Sequence, residues 1–346
     1  MSTTAFRRRE DVPPTAWQRA VSALSRGRTP IASFLVLVTV GLAALVCGII
    51  PIGPDWLPGT GSVIIASTYA WALSARTGGR SVVFGTLALV IGILTLVLDD
   101  DSLRTGAAVM TCVVAAVLAV IATVPAVRFV HAVRECVIAL LIAGVGALAT
   151  VGFEPVITVV RFEYATFGLA LLGALGVVYR LGAGFHGLGR RGLVIVLVGM
   201  VVLAVTLLYA ELLRRYGTAG LVESLLDLVR WSRTHLGAFP RPIETVLGIP
   251  ALAWGCHMRA RRRQGWWVCA FGVAATSAVA NSLANPTIAL RESALSVLYG
   301  LVVGLLIALV VIRIDLAFSG SRGGRSRRAE EAAAVRPEPA RTSALL

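Results

Sequence analysis

Ten apolar runs, each 15 to 21 residues long, dominate this 346-residue chain and restrict what it can fold into. A helix needs about 20 apolar residues to cross a bilayer, with roughly 17–25 being usual. Charged residues make up only 14% of the chain, whereas soluble domains contain about 25%. The pattern therefore predicts an all-α fold, a polytopic membrane helix bundle with about ten transmembrane helices.

The predicted spans are residues 31–50, 61–75, 81–98, 106–126, 137–153, 164–180, 192–211, 243–258, 265–284 and 294–313. The runs 61–75 and 243–258 are short for a complete crossing, so re-entrant segments are the alternative at these two places.

The arginine residues predict which side of the membrane each end of the bundle faces. All 32 basic residues are Arg, and the chain contains no Lys. With the N-terminus and alternate connections in the cytoplasm, 24 Arg lie inside and 8 outside, whereas 7 acidic residues lie inside and 11 outside. Cytoplasmic loops are enriched in basic residues. The sequence therefore predicts a multi-pass protein of the cell (inner, or cytoplasmic) membrane with both termini in the cytoplasm.

Two polar tails flank the predicted bundle of residues 31–316. The N-terminal tail, residues 1–30, is basic, and residues 317–346 are rich first in Gly, Ser and Arg and then in Ala, Glu and Pro. The second composition cannot bury enough apolar surface to offset chain entropy, so we expect a disordered cytoplasmic tail. Its Arg clusters predict contact with anionic lipid head groups. No nucleic-acid-binding motif accompanies the net charge of +14, so nucleic acid is not a predicted partner.

The longest predicted outer connection contains an amphipathic helix at about residues 218–237. Its polar side carries Glu223, Asp227 and Arg230, and Leu and Val residues occupy the other side. Such a helix is typical of one that lies flat at the membrane interface. Two interpretations are open: the helix seals the outer end of the bundle, or its three charged residues form a gate or a head-group site.

A polar stripe marks the ninth predicted span. Ser277, Asn281 and Asn285 are spaced four residues apart, so on a continuous helix they share one face. Hydrogen bonds from such groups hold transmembrane helices together. The alternative hypothesis is that the hydroxyl and amide groups line a path for a substrate or an ion.

Three further residues are candidates for the same path. Glu154 precedes an apolar stretch that suggests membrane depth, where carboxylates are costly and tend to be functional. Arg161 could neutralise it, which would make the pair structural. Pro250 lies in the middle of the eighth predicted span and predicts a broken or hinged helix, because proline removes a backbone donor.

The sequence lacks several motifs for metal, cofactor and nucleotide binding, and this limits the possible functions. There is no P-loop, no GxGxxG after a predicted strand, no HExxH and no paired CxxC, and the four His are far apart. We therefore predict no metal, no cofactor and no catalytic residue, which favours a non-enzymatic role. The leading hypothesis is a secondary transporter or a protein that translocates lipids or envelope precursors. The alternatives are a non-catalytic partner or scaffold of a membrane complex and a membrane-embedded envelope-modifying enzyme.

Overall fold

The computed structural model describes residues 29–50, 52–261, 265–319 and 338–345, and these residues form helices and connections without a strand. In chain order the helices are α1 (Thr29–Ile49), α2 (Leu57–Arg76), α3 (Ser81–Leu98), α4 (Asp101–Ile121), α5 (Phe129–Val151), α6 (Val159–Val178), α7 (Gly184–Tyr216), α8 (Ala219–His235), α9 (Ile249–Arg259), α10 (Gly265–Ala270), α11 (Val273–Leu283) and α12 (Leu290–Ser319). Two π-helices are continuous with this series: π1 (Tyr179–Ala183) joins α6 to α7, and π2 (Ile243–Gly248) runs directly into α9.

The structure confirms an all-α bundle of a membrane protein. Eight helical stretches in the described residues are long and apolar enough to cross a bilayer: α1, α3, α4, α5, α6, α7, the α10–α11 pair and α12. The other two predicted spans are also helical, as α2 and as π2 with α9. Hydroxyl residues such as Ser62, Ser67 and Thr68 make α2 less apolar, and π2 with α9 is short. The total of ten crossings therefore stays a prediction.

The pair α10–α11 forms the centre of the bundle. Within its most apolar window, 94% of the residues are buried, against 11% for α1 and for α3. The peripheral helices instead expose large aliphatic side chains such as Leu35, Val83 and Leu87. In a membrane protein, such an outer surface contacts lipid. The buried residues are therefore those nearest the bundle axis.

Small residues bring π2 and α9 very close to the central pair. A Cβ atom added to Gly248 would lie 2.3 Å from the backbone nitrogen of Ala275. One added to Gly255 would lie 2.7 Å from the backbone nitrogen of Cys269. Close backbone approach through glycine is a common way for transmembrane helices to associate, because packing replaces the hydrophobic effect in lipid.

The bundle has two ends that differ in their polar contacts. At the Arg259 end, α2, α4 and α9 terminate and α5 begins; there Arg259 bonds to Thr123 (Nη1 to Oγ1, 2.7 Å). At the opposite Glu154 end, the α3–α4 and α5–α6 connections meet, because Arg104 forms salt bridges with Glu154 (3.1 Å) and Asp99.

Helix α8 matches the predicted amphipathic segment and packs loosely on the bundle. Its apolar side chains Leu225, Leu226 and Leu228 are exposed by 40–52%. The salt bridge from Arg233 to Glu292 (3.4 Å) ties it to the start of α12. An exposed apolar face on a helix of this kind is consistent with an interfacial position, which the sequence predicted.

The tails differ in what the structure describes. Residues 1–28 and 320–337 lie outside the described residues, so the expected disorder of the second tail falls largely there. Helix α12 continues to Ser319, three residues beyond the predicted boundary at residue 316. Residues 338–345 differ from the expectation of a disordered tail, because they form hydrogen bonds with the Arg259 end, for example from Leu345 N to Arg76 O at 2.8 Å.

Candidate functional site

A fully buried carboxyl group, that of Glu244, lies in π2. Neither of its oxygens has a hydrogen-bond partner among the described residues. Arg241, one turn earlier, is the basic residue whose charge acts on it. Because α9 ends at the Arg259 end, Glu244 lies toward the opposite end of the bundle. A buried polar group without a partner is rare in native structures and calls for an explanation, of which a functional role is one.

The proline that follows explains the wide helical turn around Glu244. Pro250 has no backbone N–H, so it cannot donate to the carbonyl of Val246. The N–H of Ile249 reaches back five residues to the carbonyl of Glu244, which is the π-helical pattern. The broken or hinged helix predicted from Pro250 thus takes the form of a π-helical turn, a feature often found at functional sites.

Helix α12 presents glycine to this turn. A Cβ atom on Gly300 would lie 2.8 Å from Oε1 of Glu244, and one on Gly304 would lie 2.7 Å from Cβ of Ile249. The GxxxG spacing of these two residues therefore packs against π2 and α9 of the same chain. Any side chain at residue 300 would occupy the space that the carboxyl group fills.

Ser277 and Asn281 lie beside a very small cavity next to π2. Both side chains are buried, and the cavity of about 10 Å³ is also lined by Ile243 and Glu163. This volume is close to what a single water molecule needs. Asn281 Oδ1 accepts a hydrogen bond from Thr166 of α6 (3.0 Å), whereas the Ser277 hydroxyl donates to Val273 O in its own helix (2.7 Å).

Asn285 does not belong to this cluster. Helix α11 ends at Leu283, so the predicted stripe stops after Asn281. Asn285 instead stabilises the following turn, where its Oδ1 accepts hydrogen bonds from the backbone nitrogen and the hydroxyl of Thr287 (3.0 and 2.8 Å). The Asn-Pro sequence that begins this turn explains the helix end, since the residue before a proline disfavours helical geometry.

The structure does not pair Glu154 with Arg161. The Glu154 carboxylate is 66% exposed and contacts Arg104, as described above. Arg161 is exposed on α6. The predicted neutralisation of Glu154 thus comes from a residue 50 positions earlier in the chain, because the α3–α4 and α5–α6 connections meet at this end.

The three outer candidates lie on α8. Glu223, Asp227 and Arg230 are all exposed, and Asp227 forms a salt bridge with Arg230 one turn away (2.7 Å). An exposed pair of this kind contributes on the order of 0.3–0.5 kcal/mol to helix stability. In the described part of the chain, these three side chains are exposed, so α8 presents them to its surroundings.

Sequence reasoning missed a second cluster of charges, at the Arg259 end. Arg259 and Glu135 are completely buried, and Arg76 is 4% exposed. Glu135 accepts a hydrogen bond from Val124 N (3.0 Å) and forms a salt bridge with Arg341 (2.7 Å). In the sequence, the Arg residues here indicate only the topology.

The one available sequence signal for this cluster was Glu135 itself. It is an acidic residue at an end where Arg predominates, at the beginning of an apolar run. Its partner Arg341 lies 206 positions away, a separation at which no local pattern operates. Trp266, which resembles an interfacial anchor in the sequence, is buried against Arg259, with the guanidinium carbon 3.4 Å from the ring centroid.

Comparison of the chain with protein-family models, with curated proteins and with solved structures finds no match in any of the three.

Proposed function

We propose that this protein is a secondary transporter or a protein that translocates lipids or envelope precursors across the cell membrane, and that Glu244 is its ion- or proton-binding carboxyl group. The observation that carries the proposal is a buried carboxyl group without a hydrogen-bond partner among the described residues. Ionisable residues inside the membrane are costly and commonly mark ion and proton pathways.

The helix around Glu244 supports a transport role. Transporter binding sites often lie where a spanning helix is interrupted, because the irregular backbone turns its polar groups toward the site. Here π2 interrupts the segment that continues as α9, and Pro250 prevents normal helical bonding there. The water-sized cavity beside Ile243 places the polar residues Ser277 and Asn281 next to this interruption.

The orientation of the site follows from the predicted topology. If the Arg-rich connections are cytoplasmic, the Arg259 end faces inward and Glu244 lies in the outer half of the bundle. The charge of Arg241 then acts on Glu244 in that outer half, and Glu163 lines the small cavity next to Ile243. We propose that protonation or cation binding at Glu244 is coupled to a change in the π2 turn, and that Pro250 acts as the hinge.

A deletion strain complemented with defined variants tests the proposal. The variants are the wild type, Glu244→Gln and the matched control Asp55→Asn, which removes an exposed carboxylate in the α1–α2 connection. We expect deletion to cause a lipid or metabolite to accumulate on one side of the membrane. The wild type and Asp55→Asn should restore the distribution, whereas Glu244→Gln should reduce restoration at least about tenfold at equal amounts of folded protein.

The outcomes separate the function classes. An unchanged distribution together with the loss of a co-purifying membrane protein would favour the scaffold. A changed head-group structure, rather than a changed distribution, would favour the envelope-modifying enzyme. Full restoration by Glu244→Gln would remove Glu244 from the mechanism whichever class is correct.

A further inference from the structure

We propose that the Arg259 end contains an anion-binding site, formed by Arg76, Thr123 and Arg259, and that residues 338–345 occupy it as a competitor built into the chain. We call these elements the arginine site and the C-terminal segment. The proposal is independent of Glu244, which lies toward the opposite end of the bundle.

Arg259 is a buried cation whose carboxylate partner comes from the C-terminal segment. Its guanidinium group is completely buried and forms a salt bridge with Glu338 (Nη2 to Oε2, 2.6 Å). It also donates to Thr123, to Oγ1 at 2.7 Å and to the backbone oxygen at 3.1 Å. Removing the partner of a buried charge is strongly unfavourable. If Glu338 leaves, the arginine site therefore requires another anion.

Arg76 adds a second guanidinium group that is only partly satisfied. Its Nη1 donates to two backbone oxygens of the C-terminal segment, those of Ala340 (2.6 Å) and Ser343. Its Nη2 is buried without a hydrogen-bond partner among the described residues. Oε1 of Glu338 is likewise buried without a partner. The single carboxylate of Glu338 thus leaves guanidinium N–H groups without an acceptor. A phosphate group has more oxygens and could accept from these groups through paired N–H···O bonds.

The C-terminal segment matches the charges of the surface on which it lies. Its Glu338 faces Arg259, and its Arg341 faces Glu135 with contacts of 2.9 and 2.7 Å to the two carboxylate oxygens. Glu135 also contacts the more exposed Arg134 (2.9 Å). Without the C-terminal segment, this cluster contains Arg76, Arg134 and Arg259 together with Glu135, so its net charge is positive.

The C-terminal segment is tethered to α12 through the chain. Residues 320–337 join Ser319 to Glu338, and a chain of that length spans up to about 60 Å when extended. A tethered group of this kind competes at an effective concentration on the order of millimolar. An external ligand that displaces the segment must therefore be an anion that accepts more hydrogen bonds than the Glu338 carboxylate. A phosphate-type anion meets this requirement, either free in solution or in a lipid head group.

A spin label on the C-terminal segment of the full chain tests the proposal directly. Thr342 is exposed within the segment, so Thr342→Cys can carry a nitroxide without displacing a buried contact. We expect the label to be immobile in the purified protein in neutral detergent. Adding inorganic phosphate, or phosphatidylglycerol in mixed micelles, should convert at least about half of the signal to a mobile form at saturation. A label at Ser224→Cys on α8 is the control and should not respond.

Substitutions in the labelled protein identify the site. Glu338→Gln removes the competing carboxylate and should lower the concentration of anion needed for release at least about tenfold. Arg76→Gln removes the donor that the C-terminal segment leaves unused and also the Nη1 bonds to Ala340 and Ser343. The label should therefore be more mobile before any addition, and the anion should increase its mobility less than in the parent protein. These variants keep Arg259 and its packing, so both are expected to fold.

Each outcome has a definite meaning. Release by phosphate identifies a soluble anion, and release by phosphatidylglycerol alone identifies a lipid head group. A label that is mobile before any addition would overturn the docking of the C-terminal segment. A label that stays immobile at every concentration of both probes would show that the segment is a permanent part of the bundle, which contradicts the proposal.

Discussion

The side-chain carbonyl oxygen of Asn281 accepts a hydrogen bond from a neighbouring helix, which makes the role of this residue testable. Thr166 Oγ1 lies 3.0 Å from Asn281 Oδ1, and both residues are buried. Interhelical hydrogen bonds in membranes are worth roughly 0.6–2 kcal/mol. We expect Asn281→Leu to lower the free energy of unfolding by that amount, measured by denaturant titration in detergent.

Two further variants make this measurement specific. Thr166→Val removes the other partner, so a double-mutant cycle should return a coupling energy of about 0.6 kcal/mol or more. Ser277→Ala is the matched control, because its hydroxyl bonds within its own helix. A fully stable Asn281→Leu protein without biological activity would contradict the structural role and favour a place on the transport path.

The candidate residues show how far sequence patterns reach at this scale. Ser277 and Asn281 are four residues apart, so helical geometry alone predicts that they share a face, and the structure places both beside one cavity. Asn285 fails the same argument because the helix ends two residues earlier. The partner of Glu154 could not be predicted, because Arg104 becomes its neighbour only when two separate connections meet.

At the scale of elements, the close contact between π2 and α11 predicts a strict requirement for glycine. A Cβ atom on Gly248 would lie 2.3 Å from Ala275 N, and a backbone atom in the central pair cannot move aside cheaply. We expect Gly248→Ala to destabilise the protein by about 1–3 kcal/mol. The measurement is the loss of folded protein during thermal denaturation in detergent.

Gly168 of α6 provides the matched control, since no atom lies within 4 Å of a Cβ added there. Alanine at an open helical position is expected to be neutral or to stabilise by up to about 1 kcal/mol. Equal melting temperatures for Gly248→Ala and Gly168→Ala would mean that π2 and α11 are not in close contact.

The apolar runs predicted the helices well, because a lipid environment requires the backbone to satisfy its hydrogen bonds internally. The π-helical turn was beyond the same reasoning. Pro250 predicts a break, but the five-residue hydrogen bond from Ile249 N to Glu244 O depends on how π2 packs between α11 and α12. The buried position of Glu244 follows from this packing and is not visible in the hydropathy pattern.

At the scale of the whole molecule, one continuous segment connects the two buried charged sites. Glu244 lies at the beginning of π2, and Arg259 lies at the end of α9. The segment packs on the central pair α10–α11 throughout its length, through Gly248 and Gly255. A movement of this segment would therefore reach both the carboxyl group and the arginine site, which gives the proposed transport cycle a physical route between the two ends.

The Arg distribution predicts that the Arg259 end is cytoplasmic, so the Glu154 end must face outward. Ser102, beside Asp99, and Ser224, on α8, are exposed toward that outer side, and Thr342 is exposed at the Arg259 end.

Cysteine labelling tests this orientation. Each of the three residues is replaced by Cys in a Cys47→Ala background, since the other four cysteines are buried. In intact cells, a membrane-impermeant maleimide should label Ser102→Cys and Ser224→Cys but not Thr342→Cys, and permeabilised cells should label all three. Labelling of Thr342→Cys alone in intact cells would reverse the orientation, and with it the assignment of Glu244 to the outer half.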